Sequence, residues 1–245
     1  MSYGREFRPV QIEDTIFDDS VKLAVLDELK GNKRLFIFGE YSTGRTTLSR
    51  VVIRRYMEDG ILGNIERRMW DKFCKKGSID WNPNVHIINC SKFKSVGDLK
   101  DYLLSVNDDR DRLIGNKGKE AFLVLHIEVL DWDSQLLLED YLKKYVKDNA
   151  LVVMVSNICD DLNCDLLDGF RIIGLERFHD YQILGCLKSV CDRLKIDYTE
   201  EVLQYIIDKS CHTLKTSLIA LDYVTSGGDL SYKRVITLLS DNENE

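Results

Sequence analysis

Short apolar runs alternate with amphipathic segments over the first two-thirds of the chain. Five runs have the length and β-branched content of buried strands: 35–38, 85–89, 121–127, 151–155 and, more weakly, 171–175. Three segments between them carry apolar residues at helical spacing: 46–56, 95–104 and 134–146. This alternation predicts an α/β fold, with a mostly parallel sheet and helices on both of its faces.

The pattern changes near residue 175. From there the chain shows helical periodicity without strands, in segments 179–194, 199–210, 213–224 and 231–239. The sequence therefore predicts an α/β domain over residues 1–174 and a small helical domain over 175–240. Residues 241–245 form an acidic tail, which we expect to be frayed.

A glycine-rich loop joins the first predicted strand to the first predicted helix. This phosphate loop, residues 39–47, reads GEYSTGRTT, and Gly39 and Gly44 have the spacing of the motif G-x-x-x-x-G-K-[ST]. Arg45 stands at the lysine position, and two threonines follow it. A helix that begins here directs backbone N–H groups and its positive dipole end toward an anion. The alternative is a loop retained only because it makes the turn.

Several strings, in order along the chain, resemble AAA+ clamp-loader subunits of the replication factor C type. REFRPVQIEDTIFDDSVKLAVLDEL resembles the start of that family, VHIINCSK its second strand, VVMVSN its sensor-1 strand and SCHTLKTSLIALDYV its sensor-2 helix. The resemblance implies an AAA+ P-loop sheet with flanking helices, a small helical lid, and ATP or ADP as the ligand. It assigns these residues to nucleotide binding: Arg8, Pro9, Gly39, Ser42, Thr43, Gly44, Arg45, Thr46, Thr47, Asn157 and Lys215.

The chain also departs from the family at the positions that carry out hydrolysis. In FLVLHIE, Glu128 matches the catalytic glutamate, but Ile127 replaces the aspartate that organises magnesium. Gly169 stands at the position of the arginine finger, and Arg171 follows two residues later on the same face of its predicted strand. No segment resembles the helical collar that holds the family's subunits in a ring, so we do not expect a stable pentamer.

Phosphoryl transfer needs a positive charge at the terminal phosphates, an organised Mg²⁺ and a positioned water. Arginine carries its charge on a broad planar fork, and isoleucine accepts no hydrogen bond from a metal-bound water. We therefore expect no efficient hydrolysis and no firm Mg²⁺ site, with Thr46 the remaining metal-ligand candidate. Glu128 is either the catalytic base or a strand-end carboxylate, and Asn157 is either a sensor or a turn residue. We expect His126 to be a core histidine.

Residues 64–84 form a longer connection than the family usually has at this point. Basic and aromatic residues interleave in it: Arg67, Arg68, Trp70, Lys72, Phe73, Lys75, Lys76 and Trp81. Such a segment suits a nucleic-acid backbone, with bases stacked on its aromatic rings. The favoured interpretation is an amphipathic helix whose aromatic residues pack inward and whose charges are solvated. The same helix is a candidate surface for a protein partner.

Composition limits where such a protein works. Seven cysteines without C-x-x-C pairs predict reduced thiols, and thus an intracellular, reducing location such as the nucleus or a cytoplasmic viral factory. We expect the pairs at 159/164 and 186/191 to be buried thiols rather than metal ligands. No apolar run is long enough to span a bilayer, so no membrane is expected. A net charge of −7 argues against a uniformly basic surface but allows a local basic track.

The leading functional hypothesis is a noncatalytic clamp-loader-like subunit in DNA replication. Its expected partners are other clamp-loader or replication subunits or a sliding-clamp-like protein, with DNA contacted through the complex. Two alternatives remain open. One is an active ATPase in which Arg45 replaces the lysine and Asp131 or Asp133 serves the metal. The other is a virus-encoded scaffold in a replication or transcription assembly.

Overall fold

The structure, a computed structural model, describes residues 3–58, 82, 84–112, 119–160, 162–226 and 235. The predicted basic segment lies outside these residues, apart from positions 82 and 84. The predictions for Arg67, Arg68, Trp70, Lys72, Lys75 and Lys76 therefore also lie outside them. Of the predicted last helix only Val235 is described, and it is helical and buried.

The chain forms two compact units. The larger is Val10–Leu175, and the smaller combines Met1–Pro9 with Glu176–Glu245. The sequence-based division put the first nine residues with the sheet, whereas in the structure they group with the helical unit. The reason is side-chain packing far along the chain: the Tyr3 hydroxyl lies 2.8 Å from Thr225 Oγ1.

A five-stranded parallel sheet forms the centre of the larger unit, in the order β2-β3-β4-β1-β5. Its strands are β1 (Arg34–Gly39), β2 (Val85–Asn89), β3 (Ala121–Leu125), β4 (Leu151–Ser156) and β5 (Arg171–Leu175). β4 is buried along its whole length, as its unbroken apolar run predicts for a strand covered on both faces. The predicted α/β fold with a P-loop-type parallel sheet is confirmed.

Helices flank the sheet. They are α2 (Asp19–Lys30), α3 (Arg45–Glu58), α4 (Val96–Arg112) and α5 (Trp132–Tyr145), while the short α1 (Tyr3–Glu6) belongs to the smaller unit. Apolar side chains of α4 and α5, among them Leu99 and Leu138, share one buried cluster with Phe36 and Phe122 from the sheet. This packing fixes the strand ends from which the candidate site is built.

The smaller unit is helical. Its main elements are α6 (Asp180–Leu194), α7 (Glu200–Lys209) and α8 (Leu214–Thr225). Their apolar faces form a separate core around Leu187, Leu203 and Leu221, against which Tyr3 and Phe7 also pack. In the described part of the chain, no helix is both long and apolar enough to cross a membrane.

Six cysteines are described, and all six are free thiols. Cys191 is buried and Cys159 and Cys186 are half-buried, but Cys164 is exposed. The expectation of a buried thiol was therefore wrong for Cys164, because it begins a surface 3-10 turn, Cys164–Leu167.

Candidate nucleotide site

The phosphate loop leaves the carboxyl end of β1 in a tight left-handed path. Gly39, Ser42 and Gly44 have φ angles of 154°, 69° and 83°. A Cβ atom on Gly39 would lie 2.4 Å from the Leu175 carbonyl oxygen, so a larger residue does not fit there. The spacing of the two glycines thus reflects a real steric requirement of this turn.

Contacts inside the loop hold its shape. Thr43 is fully buried, and its N–H and hydroxyl both donate to the Glu40 carbonyl oxygen, at 3.4 and 2.9 Å. The Ser42 hydroxyl oxygen is buried and has no hydrogen-bond partner among the described residues. A buried hydroxyl without a partner carries a free-energy cost, which a ligand atom at this position would remove.

Helix α3 begins directly after the loop, at Arg45. The Leu48 N–H donates to the Gly44 carbonyl oxygen at 2.9 Å. The N–H groups of Arg45, Thr46 and Thr47 precede that bond and therefore have no acceptor within their own helix. Thr46 is exposed and Thr47 half-buried. The helix start thus offers hydrogen-bond donors and a positive dipole end to an anion.

Arg45 makes its contact within the protein. Its guanidinium donates to the carbonyl oxygen of Ser156, the last residue of β4. Burial lowers the pKa of the Arg45 guanidinium, and the negative charge of Glu128 opposes that shift. The side chain is therefore directed along the carboxyl edge of the sheet toward β4 and toward the end of β3.

Glu128 lies in a 3-10 turn, Ile127–Val129, just beyond β3. Its side chain is only 10% exposed, and neither carboxylate oxygen has a hydrogen-bond partner in the described structure. His126 Nδ1 lies 3.5 Å from Oε1, an ion-pair distance when the imidazole is protonated. A buried carboxylate is costly without compensation, and the positive charge of Arg45 interacts with the negative charge of Glu128.

The end of β3 differs from its prediction. The strand stops at Leu125, two residues early, because His126 adopts a left-handed conformation with φ 59° and ψ 44°. The expectation of a core histidine was wrong, since the His126 side chain is 50% exposed. Ile127 takes the inward position and is fully buried in the sheet core. The position matched to the magnesium-organising aspartate therefore packs as part of the core.

The remaining predicted residues separate into two groups. Asn157 is exposed and directly follows β4, beside the Ser156 carbonyl that Arg45 contacts. Arg8, Pro9 and Lys215 belong to the helical unit, where Lys215 is exposed in the first turn of α8. The structure thus gathers the phosphate loop, Glu128 and the end of β4 at one edge of the larger unit.

The two positions considered for an arginine finger lie at β5. Gly169 precedes the strand with φ 75°, and a Cβ atom there would meet nothing within 4 Å. Arg171 is exposed as the first residue of the strand. The amino end of a parallel strand lies opposite the edge that holds the phosphate loop, so Arg171 does not join this site within the chain.

Two groups of the site were missed by sequence reasoning. The Ser156 carbonyl is a backbone acceptor, and no residue pattern reveals it. Cys90, which follows β2, is fully buried; burial raises the pKa of its thiol to about 12, with a further contribution from the negative charge of Glu128. Its place after an apolar strand was a signal for burial but not for proximity to Glu128.

Potential metal ligands are sparse at this edge. The Asp131 carboxylate accepts the Ser134 N–H at 2.9 Å and caps α5, so it already has a structural role. Asp133 is exposed in the first turn of the same helix. Within the described residues, the one cluster with metal-ligand geometry is Asp180, Asp208 and His212, all in the helical unit.

Comparison with known proteins gives a consistent fold. RuvB, the Holliday junction branch migration motor of Thermotoga maritima, matches with a TM-score of 0.65 and 15% identity, over 96% of this chain and 72% of RuvB. Domain III of the Thermotoga maritima replication initiation protein DnaA matches with a TM-score of 0.65 and 18% identity, over 95% of this chain and 96% of that domain. Both are AAA+ ATPases.

The chain has the AAA+ fold. At these low identities the likeness is one of fold. No protein-family model matches the chain, and no curated protein sequence matches it either. Within the AAA+ fold the phosphate loop occupies the turn between β1 and α3, as its glycine spacing predicted.

Proposed function

We propose that this chain is a noncatalytic AAA+ subunit of the clamp-loader type, which binds ATP or ADP at the phosphate loop without hydrolysing it efficiently. The observation that carries the proposal is the position of Arg45. Its guanidinium donates to the Ser156 carbonyl and faces the charge of Glu128. Arg45, the residue at the lysine position, is thus hydrogen-bonded to the end of β4. The N–H groups at the helix start remain as donors for an anion.

Binding and hydrolysis make different demands on this site. Binding needs hydrogen-bond donors for phosphates, which the N–H groups at the start of α3 supply. Hydrolysis also needs an organised metal, and the buried Ile127 offers it no ligand. Thr46, which stands at the motif position of the metal-binding hydroxyl, remains the candidate ligand for a cation. We therefore propose that nucleotide binds with little dependence on Mg²⁺.

Nucleotide binding is tested by titration with fluorescent ATP and ADP analogues, with Mg²⁺ and with a chelator. The proposal expects saturable binding that changes little when Mg²⁺ is removed. Arg45→Ala should weaken binding about tenfold, since a positive charge beside the phosphate loop that attracts the anion is lost. Arg193→Ala, on an exposed arginine in the last turn of α6, is the matched control. If no saturable binding is found, the nucleotide-binding proposal is wrong and the scaffold alternative is favoured.

Hydrolysis is tested separately, by phosphate release from ATP with the wild type and Glu128→Gln. The proposal expects little turnover from either protein, even with Mg²⁺ present. Turnover at the rate of active AAA+ relatives, abolished by Glu128→Gln, would instead establish the chain as an ATPase with compensating residues.

The partner side of the proposal rests on the sequence resemblance to replication factor C subunits. Native affinity purification from the source cell should recover clamp-loader or replication subunits or a sliding-clamp-like protein. Reconstitution with the recovered partners then tests whether the assembly contacts primer–template DNA. Recovery of transcription proteins alone would favour the scaffold alternative.

A further inference from the structure

A second basic site lies at the amino ends of the strands, opposite the phosphate loop. A cavity of about 260 Å³ opens there, between the last turns of α2 and α3 and the residues just before β1, β3 and β4. Four cationic side chains line it, together with an aromatic ring and an amide: Lys30, Lys33, Arg55, Lys119, Tyr56 and Asn149. No acidic residue of the described structure lines this cavity.

The cavity is lined by positive charges, whereas the chain as a whole is negatively charged. The net charge is −7, yet Lys30, Lys33 and Arg55 form no ion pair with any described carboxylate. Like charges that converge on one concave surface repel each other, and the walls concentrate their field within the cavity. A bound anion would remove that repulsion.

The cavity wall is held in place by specific contacts. Lys119 Nζ donates to the Tyr56 carbonyl oxygen at 2.8 Å and lies 4.8 Å from the centre of the Tyr56 ring. The Tyr56 hydroxyl in turn donates to the Asn149 carbonyl oxygen at 2.6 Å. Lys33 has a left-handed backbone, φ 60°, and its Nζ donates to the Gly31 carbonyl oxygen at 3.1 Å. These contacts pre-position the donors, which lowers the entropy cost of binding a ligand.

Helix ends explain only part of this arrangement. Lys30 and Arg55 lie in the last turns of α2 and α3, where a cation offsets the negative end of the helix dipole. Lys33 and Lys119 precede strands instead, and both residues still line the same cavity. Four cationic residues from separate parts of the chain thus converge on one cavity of about 260 Å³.

We propose that this cavity binds phosphate groups, supplied either by a nucleic-acid backbone or by a free polyphosphate. Lysine and arginine side chains are the donors that recognise such anions, and three of them here, Lys30, Lys33 and Arg55, form no ion pair with a described carboxylate. The site is independent of the proposed function, because the phosphate loop lies at the opposite ends of the strands. Loss of nucleotide binding at that loop would leave this proposal unaffected.

The first test is an NMR titration of the ¹⁵N-labelled chain with inorganic pyrophosphate. The proposal expects saturable shifts at the amides of Lys30, Lys33, Arg55 and Lys119, separate from any shifts at residues 39–47. Lys30→Glu/Arg55→Glu should remove the first set and leave the second. Lys94→Glu/Lys100→Glu makes the same change of charge at two exposed lysines elsewhere and should remove neither.

The second test distinguishes the two sources of phosphate, by anisotropy of a fluorescein-labelled DNA duplex at several salt concentrations. For a nucleic-acid site, Lys30→Glu/Arg55→Glu should weaken binding about tenfold and reduce the slope of log K against log [salt] by about 2. For a free polyphosphate, pyrophosphate binds at the cavity and the variants leave duplex binding unchanged.

Circular dichroism checks that each variant is folded, and Lys30→Gln/Arg55→Gln provides a milder neutralisation if the charge reversal unfolds the chain. The proposal is overturned if pyrophosphate shifts no cavity amide of the folded wild type. It is equally overturned if the folded glutamine variant gives the same cavity shifts and the same affinity as the wild type.

Discussion

Gly39 is the residue on which the shape of the phosphate loop most directly depends. Gly39→Ala would bring a methyl carbon to 2.4 Å from the Leu175 carbonyl oxygen, at a φ of 154° that alanine rarely adopts. We expect a loss of about 2–4 kcal/mol in the free energy of unfolding, because backbone on both sides must shift. Urea denaturation followed by circular dichroism measures it.

A glycine in the other unit provides the control for that substitution. Gly185 lies within α6, has ordinary backbone angles, and has nothing within 4 Å of an added Cβ. Gly185→Ala should therefore stabilise the chain by about 0.5–1 kcal/mol through helix propensity. Equal effects of the two alanine substitutions would contradict the steric account of the loop.

Cys90 gives a prediction for alkaline pH. Burial, followed by the charge of Glu128, raises the pKa of its thiol to about 12, whereas an unfolded thiol ionises near ~8.5. The thiol's contribution to stability is complete below the unfolded pKa and is lost as pH rises through the folded one. The free energy of unfolding of the wild type should therefore fall between about pH 9 and pH 12. Cys90→Ala should show a shallower fall in urea denaturation across the same range.

Exposed thiols give the matching comparison for reactivity. Cys164 and Cys211 are exposed, so iodoacetamide at mildly alkaline pH should modify them in the native chain while Cys90 stays protected. Peptide mass spectrometry reads each site directly. Equal modification of Cys90 and Cys211 in the folded protein would show that the thiol is not buried as described.

Residue-level inference from the sequence succeeded where a local rule applied. The glycine spacing located a loop whose φ angles do require Gly39 and Gly44. It failed for His126, because the apolar run continues through Ile127 while the backbone turns left-handed one residue earlier. The contact of Arg45 with Ser156 joins residues far apart in the chain, so it emerges only when β1 and β4 pair.

Helix α5 depends on a cap at its start. The Asp131 carboxylate accepts the Ser134 N–H at 2.9 Å, and hydrogen bonds from the Ser134 side chain and backbone lower the pKa of that carboxyl. Asp131→Ala should lower the melting temperature at neutral pH, because an orphan N–H of the first turn loses its acceptor. Thermal denaturation followed by circular dichroism gives the value.

The pH dependence of the lowered melting temperature shows whether the Asp131 cap is its cause. A group with a depressed pKa stabilises the fold above its unfolded pKa, about 3.9 for aspartate, and the effect is lost as pH falls through the folded value. The difference between wild type and Asp131→Ala should therefore disappear under acid conditions. Asp133→Ala removes a charge from the same first turn but not the capping carboxylate, and should change the melting temperature less.

At the level of elements, apolar periodicity was a good guide to position. Segments 85–89 and 171–175 match β2 and β5 at both ends, because short β-branched runs between polar residues fix both ends of a buried strand. Helix ends were less accurate: α4 continues to Arg112, eight residues past its predicted end at 104. Its later turns are polar, and a surface helix face of that kind gives no apolar signal.

The composition of the two units is a property of the whole chain. The order of strands and helices along the chain predicted a sheet domain followed by a helical domain. It did not predict that Met1–Pro9 groups with Glu176–Glu245. That grouping depends on contacts between the two ends of the sequence. Tyr3 bonds Thr225 at 2.8 Å and packs edge-on against Phe7, with ring centres 5.7 Å apart. No local pattern in the first nine residues specifies such a long-range contact.

Native-state hydrogen exchange tests this grouping. Tyr3→Ala/Phe7→Ala should lower the opening free energy of α8 amides by about 1–3 kcal/mol, through lost apolar burial and the lost bond to Thr225. Amides of β1 and β4 should keep their protection, because those strands belong to the other unit. Tyr181→Ala removes an aromatic side chain that is 67% exposed in the helical unit and should change α8 little. If the double substitution instead loosened the sheet and left α8 protected, the first nine residues would stabilise the larger unit.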